Sequence, residues 1–293
     1  MGMTGSGEEV VDDPYNFALP QAPPGIRLAT IPLDILNRPL VPSPTGQLPS
    51  HWPVSLARPI GPSHWPDMEH SIHRQLKSLY VSDSDRHEVT VDGYRIDAVD
   101  GERLIEIQYG SLGAIRNKIR RLLCSHDVLV VKPLAQRKQL LKRDVPAGPV
   151  VSTRKSPKKQ TLWNLFDDLV YFVDVFPHPR LELEVLMTLQ EEYRLPAEKK
   201  RRVCRGYVVE DRLLAEVTGR AMLRTVEDLL AMLPDSIRPR GRIEPFSTAE
   251  LATAAGISQP LARKVAYCLR RCGVARVVGK QGNAMLYELD ERP

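Results

Sequence analysis

Residues 87–109 read HEVTVDGYRIDAVDGERLIEIQY, and the Asp-Gly pairs at 92–93 and 100–101 set the fold of this stretch. A two-residue type I′ turn needs positive φ at both central residues, which Asp-Gly supplies, and alternating apolar residues flank each pair. The stretch therefore predicts three short antiparallel strands. Pairing outward from the turns sets Glu88 against Asp97 in the first hairpin. In the second, Val99 faces Glu102, Asp97 faces Leu104 and Arg95 faces Glu106. Side chains alternate at period two, so Val89, Val91, Tyr94, Ile96, Ile105 and Ile107 form an apolar core face. Glu88, Asp97, Glu106 and Gln108 gather on the other.

In this register Asp97 and Glu106 are diagonal neighbours, about 7–8 Å apart at the backbone. Both carboxylates can then reach one divalent cation, which favours hard oxygen ligands. The competing reading is a solvated acidic face on which Arg95 pairs across the strands with Glu106, at little energetic gain.

The flanking segments read as helices. Residues 67–80 follow Pro66 with Asp67 as N-cap and place Ile72, Leu76 and Leu79 on one stripe. Extended backward, that stripe reaches Glu69, which either looks toward the acidic face or favours the positive end of the helix dipole. Ser111 caps a helix running to about Cys124, with Leu112, Ile115, Ile119, Leu122 and Leu123 inward and Arg116, Lys118, Arg120 and Arg121 outward. The run DVLVVKP at 127–133 then predicts a strand buried on both sides. A crossover helix leads into it, so it lies parallel to the strand carrying Glu106.

With that order of elements, residues 67–143 resemble the core of the PD-(D/E)XK nuclease superfamily. Glu69 is the helical acid, Asp97 the strand acid, and Glu106-Ile107-Gln108 stands at the E-x-K element. The resemblance implies an α/β (α+β) restriction-endonuclease-like core, a mixed sheet flanked by helices. It also implies Mg²⁺, with Mn²⁺ as a substitute, held by Asp97, Glu106, the Ile107 carbonyl and Glu69, with Glu88 a further acid for the site or a second ion. Ile96 replaces the name-giving Pro, and Gln108 replaces the Lys that helps position or activate the attacking water. Gln can hold a water by hydrogen bonds but brings no positive charge.

Composition is that of a globular chain: 293 residues, 42% hydrophobic and 26% charged, with a formal charge of +5. No apolar run nears the length of a membrane span, and the first residues are Gly, Ser and acids, so a cytoplasmic location and no membrane partner are expected. Cys124, Cys204, Cys268 and Cys272 lack C-x-x-C spacing and read as packed thiols, not a zinc site.

Residues 1–66 hold 13 of the 25 prolines and read as a proline-rich N-terminal arm, which could lie on a second copy or within a larger complex. After the nuclease-like core at 67–145 comes a basic connector spanning 136–159, its linker proper at 146–160. It is rich enough in Arg and Lys to follow a phosphate backbone. The 161–240 region reads as helical with a hairpin: an all-round apolar segment at 161–176, a helix over 180–194, a basic cluster from Lys199 to Arg205, a hairpin around Glu210-Asp211 and a helix from Arg220 to Leu233. Whether this region is a degenerate winged helix or adds strands to the core sheet stays open from sequence.

Residues 241–293 predict a winged helix-turn-helix. Ser247 and Glu250 form a capping box, Gly256 makes the turn, Ser258 caps the second helix and VARVVGKQGNAMLYEL supplies the wing. Gln259, Arg263, Lys264, Tyr267 and Arg270 face outward from the second helix, Lys280 sits at the wing tip, and all six are candidate DNA contacts. The expected function is a divalent-metal-dependent DNA endonuclease with catalytic residues Glu69, Asp97, Glu106 and Gln108. The alternative is a nuclease fold without catalysis, acting as a DNA-binding or regulatory protein or as a subunit of a defence or repair complex.

Overall fold

The computed structural model describes residues 70–197, 206–238 and 244–290. Asp67, Glu69, the proline-rich arm, Cys204 and the basic cluster from Lys199 to Arg205 lie outside the described residues. Helix α1 (Ser71–Tyr80) leads into three strands, β1 (His87–Val91), β2 (Tyr94–Asp100) and β3 (Arg103–Ile107). A tight helical turn, whose leading Ser111 accepts the Gly113 N–H, opens α2 (Arg116–Leu122). Strand β4 (Val128–Arg143) then runs parallel to β3, as the crossover requires.

The first turn has φ of 51° at Asp92 and 77° at Gly93, both positive as type I′ demands. The second turn differs from the sequence expectation. Asp100 stays in the strand and pairs with Arg103, leaving Gly101-Glu102 as the two-residue loop with glycine first and φ of 59°. A Gly-first loop is the alternative geometry for a two-residue hairpin, and it slides the register by two positions. The expected apolar face divides, with Val91, Tyr94 and Ile96 on the α2 side and Ile105 and Ile107 on the α1 side, and the alignment set by Ala98 opposite Ile105 carries Asp97 toward Glu106 instead of Leu104. Arg95 pairs with Glu88, not Glu106.

A second correction concerns the acidic face, which is roofed and not solvated. On one side α1 packs Ile72 and Leu76 against Ile105, Ile107, Leu129 and Val131. On the other, Leu104, Val128 and Val130 meet Ile119 and Leu122 of α2 together with Phe166 and Phe172. Ile96 joins this second cluster, because β2 and β3 stop pairing beyond Ala98.

Past β4 the chain departs further from its sequence reading. The basic connector is largely strand: β4 runs on to Arg143, and β5 (Val150–Lys155) pairs antiparallel with it. The apolar segment 161–176 contains the short helix α3 (Phe166–Leu169) and buries Leu165, Phe166, Phe172 and Phe176. The expected helix over 180–194 is instead strand β6 (Leu181–Pro196), parallel to β4, and the expected hairpin at Glu210-Asp211 lies inside β7 (Tyr207–Leu223). Strands are therefore added to the core sheet, giving a mixed sheet in the order β1-β2-β3-β4-β6-β7 with β5 on β4.

Helix α4 (Val226–Ala231) is shorter than predicted because residues 220–223 belong to β7. Strand β8 (Phe246–Ser247) precedes α5 (Thr248–Ala255), α6 (Gln259–Arg271), β9 (Ala275–Gln281) and β10 (Ala284–Leu289), and β8, β10 and β9 form a second sheet. Ser247 and Glu250 make the reciprocal capping hydrogen bonds at 3.2 and 2.7 Å. Gly256, at φ 62°, ends α5 in the left-handed conformation that glycine adopts without a Cβ clash. Cys268 and Cys272 are buried, and the apolar core of this region is continuous with that under α2 and α3.

Candidate active site

The site forms where the β2–β3 ladder ends. Past Ala98, the Asp97 carboxylate takes the Ile107 N–H, with Oδ2 2.7 Å from the nitrogen. His73, on α1, brings Nε2 to 3.1 Å from the same oxygen. Glu106, only 7% exposed, holds Oε2 2.6 Å from the Lys118 ammonium. Lys118 reaches down from α2 and also donates to the Arg95 carbonyl at 2.5 Å.

The two carboxylates are pushed in opposite directions. Burial alone would raise Asp97, but the His73 contact and the Ile107 amide hold it below the ordinary carboxylate range. Burial and then the neighbouring Asp97 charge push Glu106 up to about 7, against the pull of Lys118. Two desolvated acids side by side are the arrangement that an added cation stabilises most, since it offsets both the burial and the mutual repulsion.

Among the described residues no group of three or more His, Cys, Asp or Glu is assembled for a metal, so the described acids here are the Asp97–Glu106 pair. The third acid of the sequence reading, Glu69, lies outside the described residues. Glu88 adopts φ 56° and its carboxylate is engaged by Lys77 and Arg95, so it does not join the pair. Gln108 turns its amide to the Ser111 carbonyl at 2.7 Å, fixing the loop after β3.

Two residues of the site escaped the sequence reading. Helical spacing predicts Lys118 on the outward face, but α2 starts only at Arg116 and the long side chain reaches inward to Glu106. His73 carries a signal in the sequence alone: it stands four residues after Glu69 within the stretch predicted as one helix, the spacing of a shared face.

On α6, Gln259, Arg263, Tyr267 and Arg270 are exposed along one side, and Lys280 is exposed on β9. Lys264 is not part of that row, because its ammonium sits 2.7 Å from Asp167 and joins α6 to α3. Among the described residues no helix is long and apolar enough to cross a membrane.

The family model described as "Domain of unknown function (DUF8091)" matches residues 70–224. The chain belongs to that family. The match begins at the head of α1 and ends one residue past β7, so it takes in Asp97, Glu106 and Lys118 and stops before α4. An uncharacterized protein of Treponema pallidum (strain Nichols) is 29% identical over 228 residues, 75% of this chain and 84% of that protein. No solved structure matches.

Proposed function

We propose that the chain is a divalent-metal-dependent DNA endonuclease built on a restriction-endonuclease-like core, with α5, α6, β9 and β10 acting as a winged helix that holds DNA. The observation that carries this reading is the pairing of half-buried Asp97 with buried Glu106 at the open end of β2 and β3, with the Lys118 ammonium 2.6 Å from Glu106. Asp97, Glu106 and the Ile107 carbonyl would hold Mg²⁺ or Mn²⁺, and Glu69 is the further acid that the resemblance assigns. When bound, such an ion lowers the pKa of a water and neutralises charge developing on a scissile phosphate.

Lys118 answers the main departure from the superfamily pattern. Gln108 brings no charge and its amide is committed to Ser111, whereas Lys118 delivers a cation to Glu106 from the neighbouring helix. An ammonium there can hold a phosphate oxygen or orient a water by hydrogen bonding. His73 fixes the Asp97 carboxylate.

One observation favours a second reading. Glu106 is already neutralised by Lys118, which suits a nuclease fold that binds DNA without cutting it. Incubating the protein with supercoiled plasmid, in Mg²⁺, Mn²⁺ or EDTA, separates the two. Nicking that needs the metal and disappears in Glu106→Gln supports the endonuclease. Binding without nicking gives the second reading, and no DNA binding removes both.

A further inference from the structure

Beyond the site, β4, β6 and β7 run on together with β5 as a four-stranded extension of the sheet. Its register sets Leu140 beside Glu192 and Arg154, and Lys142 beside Arg194 and Ser152. Glu192, only 4% exposed, is reached by three cations at once: Arg194 at 2.5 Å, Arg212 at 3.2 Å and Lys138 at 3.5 Å. Lys142, Arg154 and Arg194 line one groove with Tyr207. Lys142 lies 3.7 Å from Asp144, and Arg154 has no acidic partner among the described residues.

One carboxylate therefore anchors a row of cations that it cannot neutralise. Two tyrosine rings stiffen the row: Arg194 lies 3.8 Å over Tyr207, and Lys138 and Arg212 lie 5.7 and 5.3 Å from the Tyr109 ring. Tyr109 is three residues past Glu106, and its hydroxyl donates to Gln190 at 2.7 Å. It packs on the cluster under α1 and ties the end of β3 to the extension.

We propose that this surface is a track for the phosphodiester backbone of DNA leaving the cleavage site, gripping it without regard to base sequence. The proposal rests on the endonuclease reading, since the track starts at Tyr109, which follows Glu106 by three residues, past the end of β3. The rings are stacked on cations, so the surface offers charge to phosphates and not platforms for bases. From Lys138 to Lys142 is four strand positions, about 13 Å, which spans roughly four phosphates of one strand at about 3.4 Å of axial rise each.

The test is duplex binding in EDTA across about 50 to 200 mM salt, for wild type, Lys142→Gln/Arg154→Gln and the charge-keeping Lys142→Arg/Arg154→Lys. Both positions are exposed, and neither serves the acid pair. The neutralised variant should bind about tenfold more weakly at low salt, with a salt slope smaller by up to about 1.8, while the charge-keeping variant matches wild type. An unchanged slope in the neutralised variant overturns the track even if metal-dependent nicking is found, and so does an equal loss in the charge-keeping variant. Slope loss without any nicking keeps the surface as a phosphate-backbone site but removes the endonuclease reading, and with it the track's role at a cleavage site.

Discussion

The two ends of one sheet carry opposite electrostatic problems. At the end of β2 and β3, half-buried Asp97 and buried Glu106 lie close enough to repel each other, with His73 on the first and Lys118 on the second. On the extension, Lys138, Arg194 and Arg212 crowd one buried carboxylate, while Lys142 and Arg154 stand beyond it. A fold seeking only stability would mix these charges, because isolated surface pairs contribute little and buried unpaired charge is costly. An acid pair at one place and a surplus of cations over acids at the other suit a ligand that is itself divided, a phosphate backbone over the cations with a metal ion at the acids.

The comparison breaks most directly at its acid end. Glu106→Gln keeps size and can still accept from Lys118, but removes one charge from the pair. Metal-dependent nicking should fall at least about a hundredfold, more than the loss of an outer ligand partner would cost, while DNA affinity holds or rises. Equal nicking by wild type and variant would show that this end of the sheet is not where cutting occurs. Lys118→Gln should have the next largest effect, a loss of about tenfold to a hundredfold in nicking, partly restored by Lys118→Arg. Nicking insensitive to position 118 would remove the lysine from the site and leave Gln108 unaided.

Where the determinants are local, the sequence discloses the structure. The β1 to β4 order follows from Asp92-Gly93, the alternation around it, the Ser111 cap and the run at 127–133. A single choice of loop, Asp100-Gly101 or Gly101-Glu102, decides whether Glu106 meets Arg95 or Asp97, and both choices suit the same residues. Strand β6 misleads for a different reason. Leu181, Val185, Leu186 and Leu189 fit helical spacing, and Glu, Leu and Met favour helices. Its buried polar residues, Glu184, Thr188, Gln190 and Glu192, conceal the alternation of a strand held on both sides. They are satisfied by Tyr80, Leu134, Tyr109 and Arg194, all distant in sequence except Arg194. The strand character of 136–143 was hidden likewise, by a charge run that reads as solvated until its partners on β6 are known.

The α5–α6 region tests whether the extension acts alone. Arg263→Ala/Arg270→Ala should weaken duplex binding about severalfold and reduce the salt slope by up to about 1.8. Lys264→Ala should leave the slope unchanged, because that ammonium already serves Asp167. If the slope instead follows Lys264, the α6–α3 bridge opens on binding. If it follows none of the three, the phosphate contacts belong to the extension.

The smallest expected effect lies at the joint between the two ends. Asp211, on β7, accepts the Ser71 N–H at 2.8 Å and the Ser71 hydroxyl at 2.6 Å, so it caps the helix that carries His73 to Asp97. Burial by itself would raise the Asp211 pKa, but hydrogen bonds from His70, Ser71 and the Arg212 amide bring it down to about 2. A carboxylate depressed in the folded state contributes stability above its unfolded pKa, and that contribution disappears as pH falls through the folded value. Full conversion of the shift would give more than 2 kcal/mol at about 1.36 kcal/mol per unit, but the group is half-exposed, so about 1 kcal/mol is expected. Asp211→Asn should therefore be less stable than wild type by about 1 kcal/mol near neutral pH. Denaturant unfolding should show that gap closing as pH falls from about 4 to about 2. A gap that stays constant over that interval would mean that the variant loses shape and not charge, and that the cap on α1 is not electrostatic.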